Sequence, residues 1–470
     1  MRRWLTAPRV AVGCVAALLA GLALYSAWPN TYPAYPSVGS GPPVSGGLDW
    51  ILSDGSTILD SQGRQVLLRG MNVTGLMQAQ DLDAGAPPTA NDFAQMRAFG
   101  FDVIRLAISW SRLEPQRGGI SPTYLQEIKQ TVDLAARFGI YTVVDMHDID
   151  WSYTLGGDGA PAWASASELP HSGPGPPPWN RHLAPAVMGS YWLFWLNAGW
   201  QDDVIRAWSE VVRELADDPA VAGFDLWNEP HPYPVPPGMF EHKFVLPFEG
   251  RLIAQLAAIS PHHIWVTEQT LDFGLPTYVG RLPYPNQVFS AHVFSTLLTP
   301  PWEKPVPQYE SPLQLLVNQS LTAGGAPWIG EIGAGRGSVD ESWLKREMGV
   351  LDTFHLGWAY WDWNERGAWA FLQEPELWND VARAYPRATP GVLTRQSYDP
   401  ASGTLEVSFD GLTRGRSLDI AVPSRWKGWQ VTSAGSPGPV PAQFDPATGL
   451  LHVHLDDALE HHSVTVQFSS

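Results

Sequence analysis

The chain has 470 residues, a formal net charge of −18, only 16% charged side chains and 23 tryptophans. Its acidity and the lack of any Lys/Arg-rich run argue against a nucleic-acid partner, and its aromatic content argues against a disordered chain. The lone cysteine, Cys14, precludes an internal disulfide, and no H-E-x-x-H motif or cysteine cluster calls for a metal or other cofactor.

Arg2, Arg3 and Arg9 precede an apolar run at 10–28, just long enough to cross a bilayer. Residues 1–28 therefore read as an export element, either a cleaved signal peptide or an N-terminal membrane anchor with its basic end in the cytoplasm. Residues 29–47 are rich in Pro, Gly, Ser and Tyr without periodicity, which predicts an extended linker. The folded body is expected from Leu48, with a hairpin punctuated by Asp54-Gly55 and Gly63.

Beyond it, strand-like runs at 66–72, 103–109, 141–147, 223–228, 263–267, 287–293, 327–330 and 357–361 alternate with amphipathic helical patterns at 91–99, 122–138, 201–216, 248–259 and 339–354. Eight β/α units predict an α/β chain whose residues 48–387 close into a (β/α)8 TIM barrel, with its active site at the carboxyl ends of the strands. Long loops at 148–199 and 299–312 are expected to roof that cleft. After Tyr385-Pro386 short alternating runs at 404–409, 417–422, 450–455 and 463–468 predict a small C-terminal β-sandwich, residues 388–470.

Two of the barrel strands end in glutamate. In 223–230 an apolar strand finishes in Asn228-Glu229 and is stopped by Pro230; in 327–333 a second apolar strand is followed by Glu331 among small residues. Two carboxyl groups facing one another suit glycoside cleavage, in which one protonates the leaving oxygen and the other attacks or activates water. Polar residues at other strand ends converge on the same cleft: Arg105, Asp145, His147, Glu268, His292, and Trp361 with Asp362. Glu268 is a rival carboxylate, read as a hydrogen-bonding support. The run 333–337 lacks the Lys-Ser/Thr of a phosphate loop and reads as a flexible loop.

These residues resemble glycoside hydrolase family 5. Asn228-Glu229-Pro230, Glu331, Arg105, His147 and His292 carry the resemblance. Leu68-Arg69-Gly70-Met71-Asn72, Ile108-Ser109-Trp110, Leu113-Glu114-Pro115, Val144-Asp145-Met146-His147, the run 159–164 and Tyr385-Pro386-Arg387 suggest its endoglycoceramidase-like group, from about Leu48 to the C-terminus. The resemblance implies Glu229 as acid/base and Glu331 as nucleophile of a retaining hydrolysis without a cofactor, Glu229 being protonated and Glu331 ionised. It implies Arg105, His147, Asn228 and His292 as substrate- and carboxylate-positioning residues, and Trp361 as the floor under the reacting sugar, with Trp363 close enough in sequence to be confused with it.

The pattern also departs from the family. Phe294 stands where a tyrosine usually donates to the nucleophile, and Ile149 stands where the glycolipid-cleaving group carries a sugar-binding aspartate, with Asp148 or Asp150 as substitutes. The aromatic run 191–196 reads as a core-facing helix, the alternative being an acyl-chain or membrane contact. The expected function is an exported glycosidase acting on a glycan or glycolipid substrate. Its rivals are a β-glucanase or mannanase acting on polysaccharide, and a catalytically impaired surface protein that binds carbohydrate or lipid.

Overall fold

The computed structural model describes residues 21, 28–36, 47–77, 85–171, 181–232, 235–236, 238–270, 280–294, 310–334, 338–365, 370–434, 438 and 440–470. Eight parallel strands close into a barrel: β1 (Arg69–Leu76), β2 (Val103–Ile108), β3 (Tyr141–Met146), β4 (Val221–Asp225), β5 (Ile264–Glu268), β6 (Gln287–Phe294), β7 (Ala326–Gly333) and β8 (Gly357–Tyr360), with β8 pairing back onto β1. The barrel and its eight strands are as the alternation predicts. Around it run α1 (Ala90–Ala98), α2 (Pro122–Ala136), α3 (Pro185–Leu196), α4 (Ala198–Leu215), α5 (Leu246–Ala257), α6 (Glu310–Ala323) and α7 (Ser338–Thr353).

Local chemistry sets these helix starts. Thr89 caps α1 in a reciprocal box with Asp92, Ser121 caps α2 with Pro122 in its first turn, and Asn197 accepts from the first backbone amides of α4. The long segment after β3 thus folds into helix, with Tyr191, Phe194 and Trp195 buried and Leu193 and Leu196 exposed. The expected core-facing reading holds for its inner face. The second long segment, 299–312, falls mostly outside the described residues.

The period-two rule of a strand builds the barrel interior in layers. Val103, Tyr141, Val143, Ile264, Val266, Val288, Ala326 and Trp328 form an apolar floor. One step further along the same strands, the inward positions are Arg105, Asp145, Glu268 and Ser290, followed by His147 and His292. An apolar floor is thereby topped by a polar layer at the carboxyl ends.

Between β5 and β6 the described residues 269–270 and 280–286 form no helix. Residues 28–36 lie along this flank. Tyr35 Oη accepts from the Trp265 indole at 2.9 Å, Tyr284 Oη lies 2.9 Å from the Pro33 carbonyl and 3.0 Å from that of Gly250, and Asn30 donates to the His242 carbonyl at 2.6 Å. This part of the expected linker is packed against the barrel.

At the base, the short strands Ile51–Ser53, Ile58–Asp60 and Gln65–Val66 join β9 (Tyr385–Thr389) in a seven-stranded sheet. The sheet continues through strands of the C-terminal region: β12 (Leu418–Ala421), β15 (Leu450–Val453) and β14 (Ala442–Asp445). It packs on a four-stranded sheet of β10 (Val392–Asp399), β11 (Thr404–Asp410), β16 (His461–Ser469) and β13 (Gly428–Ser433), with Leu67 and Tyr385 in the shared core. The N-terminal hairpin therefore belongs to the same sheet as half of the sandwich.

Candidate active site

Arg105 is the hub of the polar layer. Its fully buried guanidinium donates to Asp225 at 2.8 Å, Glu331 at 2.7 Å, Glu268 at 2.7 Å, the Asn228 amide oxygen at 2.8 Å and Asn72 at 3.2 Å, with Asp145 at 3.1 Å. A cation so buried survives only because carboxylates surround it. Burial alone would push the Arg105 pKa down, but Asp145, Asp225, Glu268 and Glu331 outweigh it and hold the charge firmly.

Glu229 follows β4 in the turn that Pro230 enforces, and its backbone sits at φ 40°, a region that non-glycine residues rarely occupy. Two contacts hold it there. Its amide donates to Glu268 Oε2 at 2.6 Å, and its carbonyl lies 2.8 Å from His231 Nδ1. His231 stacks on Tyr191 with ring centroids 3.9 Å apart, and the Tyr191 hydroxyl donates to Asp148. Burial pushes the His231 pKa down to about 4, so the ring is neutral and its Nδ1–H donates to Glu229.

Glu331 lies within β7, where a register irregularity between Ile329 and Glu331 turns its side chain inward. One oxygen of Glu229, one of Glu331 and a ring nitrogen of His292 lie within 4.8 Å of one another. His292 bridges the carboxylates: Nδ1 is 2.8 Å from Glu229 Oε1 and 3.5 Å from Glu331 Oε2, and Nε2 is 3.2 Å from Glu268 Oε1. Burial opposes its charge, yet Glu268, Glu331 and the bond to Glu229 raise its pKa well above the usual value. These carboxylates favour the charged form of His292.

The two glutamates are shifted in directions opposite to those expected. Burial would raise Glu229, but the His292 hydrogen bond and charge outweigh it and hold Glu229 below the usual carboxylate range. Glu331 is raised, chiefly by burial, with the Glu229 charge adding to it against His292 and Arg105. The 2.8 Å contact therefore favours the shared proton on His292 over Glu229.

The remaining expected residues converge as well. His147 Nδ1 lies 2.9 Å from Asp145 Oδ2, and its ring stacks on Trp361 with centroids 5.2 Å apart. Trp361 lines the site, with its indole donating to Glu365 at 3.0 Å, whereas Trp363 is fully buried and donates to Asp92. The ambiguity between the two tryptophans is thus resolved. Asn228 donates to the Asp148 carbonyl at 2.8 Å and accepts from Arg105, and Glu268 supports Glu229, His292 and Arg105 together.

Asp148 and Asp150 are both engaged, the first by Tyr191 and the second by His182 at 2.5 Å. Neither is a simple replacement for the aspartate missing at Ile149. Three further residues of the site, Asp225, His231 and Glu365, escaped the sequence reading, and Asn72 entered it only as part of a family motif. Asp225 carried a usable signal, since a carboxylate between Phe224 and Leu226 inside an apolar strand demands a buried cation.

Asp145, Asp225 and Glu268 also cluster as a cation site would, but the guanidinium of Arg105 already fills that role among them. The Glu229–His292–Glu331 group is likewise bridged by the His292 ring. Two opposed carboxyl groups at this spacing can act on a bond placed between them.

Residues 59–367 match the family model for cellulase, glycosyl hydrolase family 5. The chain belongs to glycosyl hydrolase family 5. This family 5 glycosidase is similar to endoglycoceramidase I of Rhodococcus hoagii (strain 103S), 27% identical over 413 residues that cover 81% of this chain and 83% of that protein. It is also similar to the endoglycoceramidase of Cyanea nozakii, 23% identical over 410 residues covering 75% and 79%. Among solved structures, an endogalactoceramidase superposes with a TM-score of 0.71 at 26% identity, covering 89% of this chain and all 100% of that one. Endo-glycoceramidase II from Rhodococcus sp. shares the fold at a TM-score of 0.76 and 24% identity, covering 88% and 100%. Family membership makes the family 5 glycosidase an O-glycosyl hydrolase, as the strand-end glutamates imply.

Proposed function

We propose that this glycosidase is exported and cleaves the bond between a glycan and a lipid aglycone with retention of configuration. The observation that carries the reading is the approach of Glu229 and Glu331, with oxygens inside 4.8 Å. Carboxyl groups about 5–5.5 Å apart favour direct attack, whereas about 6.5–9.5 Å leaves room for an intervening water. Glu331, fixed by Arg105, attacks the anomeric carbon. The bond to the aglycone breaks as the leaving oxygen takes a proton from Glu229, which draws it from His292. Water then enters, gives its proton back to the Glu229–His292 pair and releases the sugar from Glu331.

Asn228 lies between Arg105 and the Asp148 carbonyl, a position suited to a sugar hydroxyl beside the reacting carbon. Trp361, stiffened by His147 and Glu365, offers an apolar face for the ring of that sugar. The lipid part of the substrate is supported by the endoglycoceramidase relatives, and by the capture of a protein of this fold with ganglioside GM3.

The test is turnover of glycosylceramides beside soluble β-glucans and β-mannans. Release of intact oligosaccharide from the ceramides supports the reading. Robust hydrolysis of the soluble polysaccharides alone would overturn it.

A further inference from the structure

Residues 28–36 lie along the β5–β6 flank, and they run in the direction a barrel helix would. The start of the segment is at the catalytic rim: the Trp28 carbonyl accepts from Lys243, and Asn30 reaches the His242 carbonyl, in the turn leading into α5. That turn is at the carboxyl ends of the strands, since the neighbouring Glu241 accepts from Thr270, two residues past β5, at 2.9 Å. Tyr32 then packs on Gly250 within α5, where a Cβ would lie 2.7 Å from the Tyr32 ring. Tyr35 reaches Trp265 near the start of β5, and Trp50 finally rests against His262 and His263 at the base, 5.6 and 5.3 Å away.

The described segment consequently begins beside the active-site mouth and not at the opposite end. The apolar run 10–28 ends at this point, with Trp28 itself 72% exposed. The same rim carries Leu169, Leu183, Leu193 and Leu196, the last 56% exposed, and Trp192 packs on Phe244 next to Lys243. Five of the nine exposed large hydrophobic side chains among the described residues thus lie on segments of this one face. Such grouping suits contact with a lipid surface.

We infer that residues 28–36 are an orienting strap: with the run 10–28 held in a bilayer, the strap fixes the barrel so that its catalytic mouth, rimmed by Leu169, Leu183, Leu193 and Leu196, faces that same bilayer. This deepens the glycolipid reading and rests on the N-terminal run being retained. No helix among the described residues is long and apolar enough to cross a membrane; in sequence, the run 10–28 is apolar over a sufficient length. A substrate whose sugar projects from the lipid surface would meet the cleft without leaving the membrane.

The test is made on the full chain in phosphatidylcholine vesicles, in a Cys14→Ser background, with a fluorophore on a single cysteine at Leu193→Cys, Leu196→Cys or Gln62→Cys. Nitroxide on the lipid headgroups reads proximity without requiring turnover, so a failed glycosidase reading leaves this result intact. At least twofold quenching at positions 193 and 196, with none at 62, is expected. Quenching at 62, no quenching anywhere, or recovery of a chain processed past Trp28 would overturn the proposal. Gly250→Ala, which crowds Tyr32 while favouring the helix, is expected to lower hydrolysis of vesicle-borne glycolipid several-fold and that of a soluble aryl glycoside less than twofold. An equal loss on both substrates would make the strap a stability element only and overturn its orienting role.

Discussion

Arg105 shows how one residue holds the chemistry together. Its guanidinium satisfies Asp225, Glu268 and Glu331 at 2.7–2.8 Å, so its loss would strand several carboxylates in the barrel. Arg105→Met is expected to destabilise the chain by about 3–5 kcal/mol, measured by denaturant unfolding. His147 makes a second residue-scale prediction. Burial works against its charge, but Asp145 outweighs it and raises the pKa to about 8, from 6.5. A raised histidine contributes stability that is fully present below pH 6.5 and lost as pH rises through about 8, a contribution of roughly 2 kcal/mol. The stability difference between the parent and His147→Gln should therefore shrink across pH 6.5–8, read from thermal melts.

At this scale the sequence is informative about which side chains meet and less so about where their protons rest. Strand-end position and period-two spacing bring Arg105, His147, Asn228, His292, Glu229 and Glu331 together. The protonation of Glu229 depends on a 2.8 Å contact with His292, sixty-three residues away, and on φ 40° at Glu229 itself. Neither is encoded in a local pattern. His231 was equally hidden, because it acts through the Glu229 carbonyl and through stacking on Tyr191.

The barrel strands were readable as apolar runs alternating with helical patterns, and in some an apolar floor residue precedes a polar one by two positions, as in Val103 and Arg105 or Val266 and Glu268. Helices α1, α2 and α4 were readable from amphipathic spacing, while their caps at Thr89, Ser121 and Asn197 set the observed starts. The packing of residues 28–36 was not. That segment has no internal periodicity and is held by partners more than 200 residues away, including His242 and Trp265. Close strand contact gives the element-scale prediction. A Cβ on Gly70 would lie 1.7 Å from the Val103 carbonyl between β1 and β2, so Gly70→Ala should cost about 1–3 kcal/mol or more in stability, checked by chemical denaturation.

At the scale of the whole molecule, the N-terminal hairpin and the sandwich share one sheet, and buried charges tie the barrel to the C-terminal region. Gln65–Val66 pairs with β9, β9 pairs with β12, and Asp352 joins Arg69 at 2.7 Å to Arg383 at 2.6 Å. A chain cut after residue 387 would uncover Leu67 and Tyr385, cut through β9 and leave Gln65–Val66 without the partners Ala388 and Thr389. Such a truncation is expected to aggregate, whereas the intact chain should unfold in one calorimetric transition. A soluble truncation melting at the parent temperature would refute that coupling. The sandwich strands at 404–409 and 450–455 were visible in the sequence, but the shared sheet depends on pairing between 65–66 and 385–389 that no local pattern reveals.

The central claim is that Glu331 attacks and Glu229 protonates. It is tested most directly by incubating the enzyme with an activated 2-deoxy-2-fluoroglycoside and mapping the trapped sugar by peptide mass spectrometry. One covalent sugar, on Glu331, is expected. A label on Glu268 or Glu229, or hydrolysis with inverted anomeric configuration and no label, would contradict it.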